Sequence, residues 1–271
     1  MINARIIGTG SGVPKKVVTN HDLEKLVDTS DAWITERTGI KERRIAAKDE
    51  TTSDFAYEAS HKALKSAKIS PQELDLILVA TTTPDMFMPS CGCLLQEKLG
   101  ATKAAAFDIY AACSGFIYGL SVANAFIKSE MYKNILVVGA ETLSRFTDWE
   151  DRGTCVLFGD GAGAVVLQRH AGKRGVLSTH LHSDGSLGNL LSLPGGGALH
   201  PPTYETINKR MHFIKMKGNE TFKAAVRALE DVAQEALAYN KVKPEEIDLL
   251  IPHQANLRII QAMAQRLNMP M

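Results

Sequence analysis

Cys113 is the first residue in this chain whose surroundings point to chemistry. It follows the apolar run Ala104–Ile109 and precedes a long apolar stretch, inside Ala111-Ala112-Cys113-Ser114-Gly115. Small neighbours permit a tight turn and close approach of a substrate. A thiol at a helix N-terminus faces unpaired N–H groups and the positive end of the helix dipole, and both favour the nucleophilic thiolate. A buried, inert thiol is the structural alternative. His253 is the second candidate. It follows Ile247–Ile251, which reads as a strand, and Pro252, with Asn256 poised to cap the next helix. Open α/β sheets place their ligands at the carboxyl ends of strands. A lone histidine is more often structural, but a Cys and a His at two strand ends suggest nucleophilic catalysis.

Other motifs carry less. Gly8-Thr9-Gly10-Ser11-Gly12 fails the dinucleotide fingerprint because Val13 stands where the third glycine belongs. Gly159-Asp160-Gly161-Ala162-Gly163 lacks the Lys-Ser/Thr ending of a phosphate-binding loop. Both read as glycines that let backbones crowd together. Gly195-Gly196-Gly197 lies in a proline-flanked stretch, Pro194 to Pro202, expected to be a mobile surface loop. His180 and His182 have no third ligand at useful spacing and read as alternate strand residues facing one side, so no metal site is expected. The four cysteines, Cys91, Cys93, Cys113 and Cys155, form no disulfide framework for a chain of this size, which fits a reducing cytoplasm.

The elements that must position these residues alternate. Thr51 to Ala67 carries Phe55, Ala59, Ala63, Leu64 and Ala67 at helical spacing. Ser70-Pro71 opens a turn, and Leu74–Ala80 reads as a buried strand. Further strands are expected at Ala104–Ile109, Ile135–Val138 and Cys155–Gln168, with helices near Cys91–Leu99 and Ser114–Lys128. This alternation predicts an α/β protein with a largely parallel sheet. The stretch Ile109 to Ile127 is uncharged, but its serines, tyrosines and Asn124 mark a buried helix rather than a membrane span. Pro71-Gln72-Glu73-Leu74-Asp75-Leu76 is echoed by Pro244-Glu245-Glu246-Ile247-Asp248-Leu249 at an offset of 173, and Ala63-Leu64 falls on Ala236-Leu237. Two structural copies are therefore expected, residues 1–170 and 171–271. A second copy as long as the first would extend roughly 70 residues further.

The chain has 271 residues, with 31 Lys plus Arg against 30 Asp plus Glu and a net charge of +1. That balance argues against a general binder of nucleic acid or anionic membranes.

Three segments together are specific. Asp108–Phe116, Phe158-Gly159-Asp160-Gly161-Ala162-Gly163-Ala164 and Pro252-His253-Gln254-Ala255-Asn256-Leu257-Arg258 resemble β-ketoacyl-[acyl-carrier-protein] synthase III. Asp28–Ile34 with Arg37-Thr38-Gly39-Ile40, and Leu181-His182-Ser183-Asp184-Gly185, match as well, so the resemblance runs through the whole chain in order. It implies a thiolase-like fold of two related halves in α-β-α-β-α layers, with the second half incomplete, and a cytoplasmic homodimer. It also implies acylation of a cysteine by acyl-CoA, of which acetyl-CoA is the expected donor. Condensation with malonyl-[acyl-carrier protein] then releases CO2 and begins fatty-acid synthesis, with acyl-CoA as substrate and no cofactor. Cys113 would be the nucleophile, and His253 would hydrogen-bond the malonyl thioester oxygen. Thr29, Trp33, Arg37, Arg152 and Asn256 match CoA-binding positions, with Trp33 and Arg152 stacking the adenine. Met88, where the family often has Phe, and Phe158 would line the acyl pocket. Gln254, Ala255, Asn256, Leu257 and Arg258 match the family's carrier-protein docking segment, and Arg258 with Lys223 and Arg227 would offer positive charge to the acidic carrier protein. The family's third catalytic residue, an asparagine in a His-Gly-Asn-Thr segment, belongs beyond Met271. A chain ending there is expected to lack normal condensation. The alternatives are a form that only binds CoA and carrier protein, or a thiolase-fold acyltransferase or thioesterase.

Overall fold

In the computed structural model, which describes residues 2–271, the chain forms two compact units. In chain order the elements begin with β1 (Ile2–Gly12), β2 (Val17–Thr19), α1 (Asn20–Leu23), α2 (Asp31–Thr38), β3 (Glu42–Arg44) and α3 (Thr52–Ala67). There follow β4 (Leu76–Ala80), α4 (Cys91–Leu99), β5 (Ala105–Ile109), α5 (Gly115–Lys128), β6 (Asn134–Thr142), α6 (Arg152–Cys155) and β7 (Asp160–Ala171). The last are β8 (Leu191–Ser192), α7 (Tyr204–Asn208), β9 (Lys215–Met216), α8 (Gly218–Asn240) and α9 (Leu257–Arg266).

The first unit, residues up to Lys16, Arg44–Thr142 and Gly159–Leu181, is built on a five-stranded sheet in the order β1-β7-β6-β4-β5. Side chains alternate across a strand, so one sequence serves two faces. Ile77, Val79, Leu136, Val138, Ala164 and Val166 meet α3 and α4, whereas Leu76, Leu78, Ile135, Val137, Val165 and Leu167 meet α5. Strand β4 is buried along its whole length, which is why it reads as an unbroken apolar run. The sheet is mixed rather than largely parallel. β4 runs parallel to β5 and β6, while β7 is antiparallel to both β1 and β6. The expected strand Cys155–Gln168 also divides, because its first residues close α6 and β7 begins only at Asp160. Gly153 and Asp151 start that short helix, Asp151 Oδ1 accepting from Gly153 N at 2.8 Å. Among the described residues no helix is long and apolar enough to cross a membrane.

The first glycine run does allow crowding. A Cβ on Gly8, Gly10 or Gly12 would fall 2.3, 2.2 or 2.5 Å from the carbonyl oxygens of Ala63, Ala59 or Phe55, so β1 lies directly against the α3 backbone. In the second run a Cβ on Gly161 would lie 3.3 Å from Gly12 O, whereas one on Gly163 would meet nothing within 4 Å. Gly10→Ala should therefore destabilise the protein by about 3 kcal/mol, since backbone on both sides prevents relief of the clash. Gly163→Ala should lie within about 0.5 kcal/mol of the parent. Urea denaturation midpoints of the two variants check this, and equal midpoints would contradict it.

The second unit comprises Val17–Arg43, Leu143–Phe158 and His182–Met271. Its core includes Leu23, Ile34, Cys155 and Val156, with Trp33 and Trp149 partly buried against them. Here the repeat reappears in detail. Lys68 and Lys241 both end a helix in the left-handed conformation, at φ 57 and φ 54. Ile69 N then donates to Leu64 O at 3.3 Å, as Val242 N does to Leu237 O at 3.0 Å. Glu73 accepts from Ser70 N and Glu246 from Lys243 N, each at 2.8 Å. The copies part after this turn. Ile247–Ile251 forms no strand, because no neighbouring strand supplies a ladder, and Leu249 and Ile251 stand 72% and 74% exposed. His180 and His182 likewise lie outside any strand. His180 Nε2 pairs with Ser178 Oγ at 2.9 Å and His182 Nε2 with Glu235 Oε2 at 2.5 Å. Gly195 is buried rather than a surface residue, its N–H donating to Met211 O at 2.7 Å.

Candidate active site

Parallel strands β4, β5 and β6 run in register, Ala80 pairing with both Ile109 and Gly139, and β6 continues to Thr142. Their carboxyl ends carry Thr81–Thr83, Tyr110–Cys113 and Ala140–Thr142 to one edge of the sheet, the edge at which such sheets place reactive groups. The turn from β5 into α5 is tight. Ala112 takes φ 45, and a Cβ on Gly115 would lie 2.9 Å from Ala80 Cβ. A non-glycine residue in that region carries about 1–3 kcal/mol of strain, a common property of turns that present a nucleophile. Cys113 lies in the one-turn helix Ala112–Ser114 just ahead of α5, and its side chain reaches solvent.

The thiol is not poised as a thiolate. Its sulfur, though reached by solvent, has protein packed around much of it; this burial raises its pKa above the ordinary 9.0, and the negative charge of Glu141 adds to the shift. The expected depression by the helix dipole is thus reversed, because partial desolvation and a nearby carboxylate outweigh it. Glu141 gave no signal in the sequence beyond its place two residues after Gly139. It accepts from Thr82 N at 2.8 Å, from Thr82 Oγ1 at 3.1 Å and from Thr83 Oγ1 at 2.5 Å. Burial nevertheless raises its own pKa. Of the other thiols, Cys91 and Cys155 are buried and Cys93 is exposed.

In the second unit, Trp33 on α2 gathers two cations. The Arg37 and Arg152 guanidinium carbons lie 4.5 and 4.8 Å from its ring centroid, and Arg152 Nη1 donates to Asp28 O at 2.9 Å. Thr29 Oγ1, just ahead of that helix, is buried without a hydrogen-bond partner. The site therefore offers a flat ring, two guanidinium groups and an unused hydroxyl. Gly39 ends α2 at φ 75, and a Cβ there would lie 2.6 Å from Leu257 Cβ, so the close approach of α2 to α9 requires glycine. Asn256 caps α9, its Oδ1 accepting from Arg258 N at 2.8 Å, which leaves the amide donors for other use.

His253 precedes this cap. Part of its ring is exposed, and protein packed around the remainder lowers its pKa below the ordinary 6.5, so the ring is neutral at pH 7. Arg258 is exposed and lies over the Phe222 ring at 5.5 Å, while Lys223 and Arg227 sit exposed one helical turn apart on α8. Gln254 is exposed and Ala255 half-buried. Met88 stands 85% exposed between β4 and α4, and Phe158 is half-buried between α6 and β7. Within the first unit Cys113 and Glu141 share an edge, and within the second the Trp33 cluster and the α9 N-terminus are joined through Gly39 and Leu257. The sequence pattern missed Asp148 and Arg210, whose ion pair is made across 62 residues of chain.

A layered α/β fold with a thiol presented where parallel strands end is the architecture of thiolase-like acyl-transferring enzymes. Models of the 3-oxoacyl-[acyl-carrier-protein (ACP)] synthase III family match residues 107–185, and those of its C-terminal portion match residues 237–271. The β-ketoacyl-[acyl-carrier-protein] synthase III of Caldanaerobacter subterraneus is 54% identical over 268 residues, covering 99% of this chain and 81% of that protein. The crystal structure of 3-oxoacyl-[acyl-carrier-protein] synthase III from Aquifex aeolicus is 55% identical with a TM-score of 0.91, covering 98% of this chain and 82% of its own. The Thermus thermophilus structure is 41% identical with a TM-score of 0.90, covering 98% and 81%. The chain belongs to the 3-oxoacyl-[acyl-carrier-protein] synthase III family of condensing acyltransferases in fatty-acid synthesis.

Proposed function

We propose that the chain takes an acyl group, acetyl in the first instance, from acyl-CoA onto Cys113 and condenses it with malonyl-[acyl-carrier protein]. The observation that carries this reading is the solvent-reached Cys113 thiol at the shared carboxyl end of three parallel strands. In the first half-reaction the thiol loses its proton, the sulfur attacks the acyl carbonyl, and CoA leaves as its thiol. The thioester so formed keeps the acyl carbon activated. In the second, malonyl-[acyl-carrier protein] loses CO2, and the resulting enolate carbon attacks the Cys113 thioester. Cys113 is expelled and 3-oxoacyl-[acyl-carrier protein] is released. Neutral His253 is the donor to the malonyl thioester oxygen, where negative charge develops. No resident cofactor or metal enters this chemistry.

The Trp33 ring with the Arg152 guanidinium is a slot for a flat base, Thr29 supplies a hydroxyl, and Arg37 supplies charge for a phosphate. The Asn256 amide is suited to the pantetheine arm. Gln254 to Arg258, with Lys223 and Arg227, form the face for the acidic carrier protein, and Met88 and Phe158 belong to the acyl pocket. Edge strand β5 has one neighbour, and apolar Phe107, Tyr110, Ile117, Phe87 and Met88 are exposed near it. Such an edge favours pairing with a second copy, hence a homodimer. Sedimentation equilibrium should give twice the chain mass of 29.5 kDa, and a monomer at micromolar concentration would refute this. Four unbridged thiols support a cytoplasmic location.

A two-stage assay tests the function. Acetyl-CoA alone should leave an acetyl group on Cys113, and subsequent malonyl-[acyl-carrier protein] should remove it as 3-oxoacyl product. Acylation discharged only by water would replace the reading with a thioesterase.

A further inference from the structure

Among the charged groups outside the site described so far, Asp148 is distinctive because its carboxylate is only 7% exposed and is held from several directions. Arg210 grips it with a two-point fork, Nε donating to Oδ2 at 3.1 Å and Nη2 to Oδ1. Lys215 Nζ stands 3.8 Å from Oδ2, and Glu150 N donates to Oδ1 at 3.1 Å. The other side of Arg210 reaches Glu150 Oε2 at 3.0 Å, and its guanidinium lies over the Phe213 ring at 5.1 Å. The paired charge holds the Asp148 carboxyl below its usual range.

Asp148 also starts the turn that carries Arg152. Asp151 N donates to Asp148 O at 3.0 Å, and Asp151 then caps α6, placing Arg152 at its first position. Arg152 leaves that turn to meet Trp33 and Asp28 O. A second tie joins the same two segments, Ile214 N donating to Phe146 O at 2.8 Å. The guanidinium of Arg210 is thus linked through one nearly buried carboxylate and one short turn to the cation that faces Trp33.

We propose that the Asp148–Arg210 pair is a positioning latch for nucleotide recognition, fixing the 146–152 turn so that Arg152 opposes Trp33. This rests on the reading of Trp33 and Arg152 as the CoA adenine slot. The latch touches no reacting atom. It acts on the nucleotide end of the donor and is silent toward donors that lack one. A bidentate fork suits the task because it fixes orientation as well as distance. Planar stacking loses its contact area with small rotations of either partner.

The test compares wild type, Arg210→Ala, Asp148→Asn and Trp33→Ala. CoA and pantetheine binding are followed by calorimetry, and acetylation of Cys113 by acetyl-CoA or by acetyl-N-acetylcysteamine is followed by intact mass. Arg210→Ala should weaken CoA binding about tenfold, the scale on which supporting residues alter a site they do not touch. It should leave pantetheine binding and acetylation by the truncated thioester within about twofold of wild type. Asp148→Asn should behave alike. Should that variant fail to fold, Arg210→Ala carries the test, because its side chain is 41% exposed. Equal loss with both donors would show general support of the fold and overturn the latch. So would unchanged CoA binding in Arg210→Ala while Trp33→Ala weakens it. Trp33→Ala binding CoA like wild type would remove the adenine slot itself, and the latch with it.

Discussion

Cys113→Ser should abolish covalent acylation by acetyl-CoA, lowering its rate by roughly 10⁴-fold or more. A serine hydroxyl is far less acidic than a thiol and is the weaker nucleophile at neutral pH. Glu141, whose oxygens already accept from Thr82 and Thr83, has a charge that opposes an anion at position 113. The native thiol meets the same opposition, so alkylation of Cys113 by iodoacetamide should still be accelerating above pH 9.0, its ordinary value. Burial and the Glu141 charge both disfavour the thiolate. The substrate supplies compensation, because the leaving CoA sulfur takes up a proton as the Cys113 thiol gives one up. Of the remaining cysteines, Cys155 is buried with a pKa of about 11 and Cys91 is buried and pushed up further, so neither competes. Cys93 is exposed, its sulfur 3.8 Å from Ala106 O, and is the residue to examine if acylation persists. Peptide mapping of the acylated protein separates the two thiols. Acylation surviving on the Cys113→Ser protein would mean that the nucleophile is elsewhere.

The parts of this molecule that were legible in the sequence are those governed by local rules. Helix α3 begins after Thr51 because Thr51 and Asp54 close a capping box, and α4 spans Cys91–Leu99 between Ser90 and Gly100, as its spacing predicts. The alternation of Leu76 and Leu78 against Ile77 and Val79 is hidden in the sequence, because a strand buried on both faces shows no polar partner residues. The direction of β7 could not be read either, since its pairing with β1 and β6 is set across more than a hundred residues in one case and some thirty in the other. The 173-residue echo correctly located a repeated helix–turn unit, yet the same echo placed a strand at Ile247–Ile251 where none forms. A turn is satisfied by its own hydrogen bonds, whereas a strand exists only if another chain segment completes its ladder. The site divides in the same way. Cys113, Trp33 and Asn256 announce themselves through their positions beside turns and helix ends, but Glu141 and the Asp148–Arg210 pair act through neighbours remote in sequence. The ionisation of Cys113 likewise depends on burial and on Glu141, neither of which its local sequence shows. The dipole of α5 is written next to it in the chain, and the opposing carboxylate is not.

His253→Ala should lower decarboxylation of the malonyl thioester by roughly 10²–10³-fold, the cost of losing one donor to developing oxyanion charge. Acylation of Cys113 in the same protein should continue, because the first half-reaction places its charge on a different carbonyl. The lowered pKa of His253 makes the imidazole neutral throughout the neutral range. A neutral ring can donate one N–H without a second cation competing with the carrier-protein charges on α8 and α9. Two roles for this residue then differ in their pH dependence. A general base must be unprotonated, so its rate would fall as the pH drops through the lowered pKa. A donor keeps an N–H in both protonation states and loses nothing on protonation. Decarboxylation should accordingly stay level as the pH is taken below 6.5, the ordinary histidine value. His253→Gln, which retains an N–H donor and has no basic nitrogen, should keep more activity than His253→Ala. An acid limb in the wild-type profile, with the Gln variant as inactive as the Ala variant, would assign His253 to proton abstraction instead. Wild-type decarboxylation by His253→Ala would remove it from the reaction altogether.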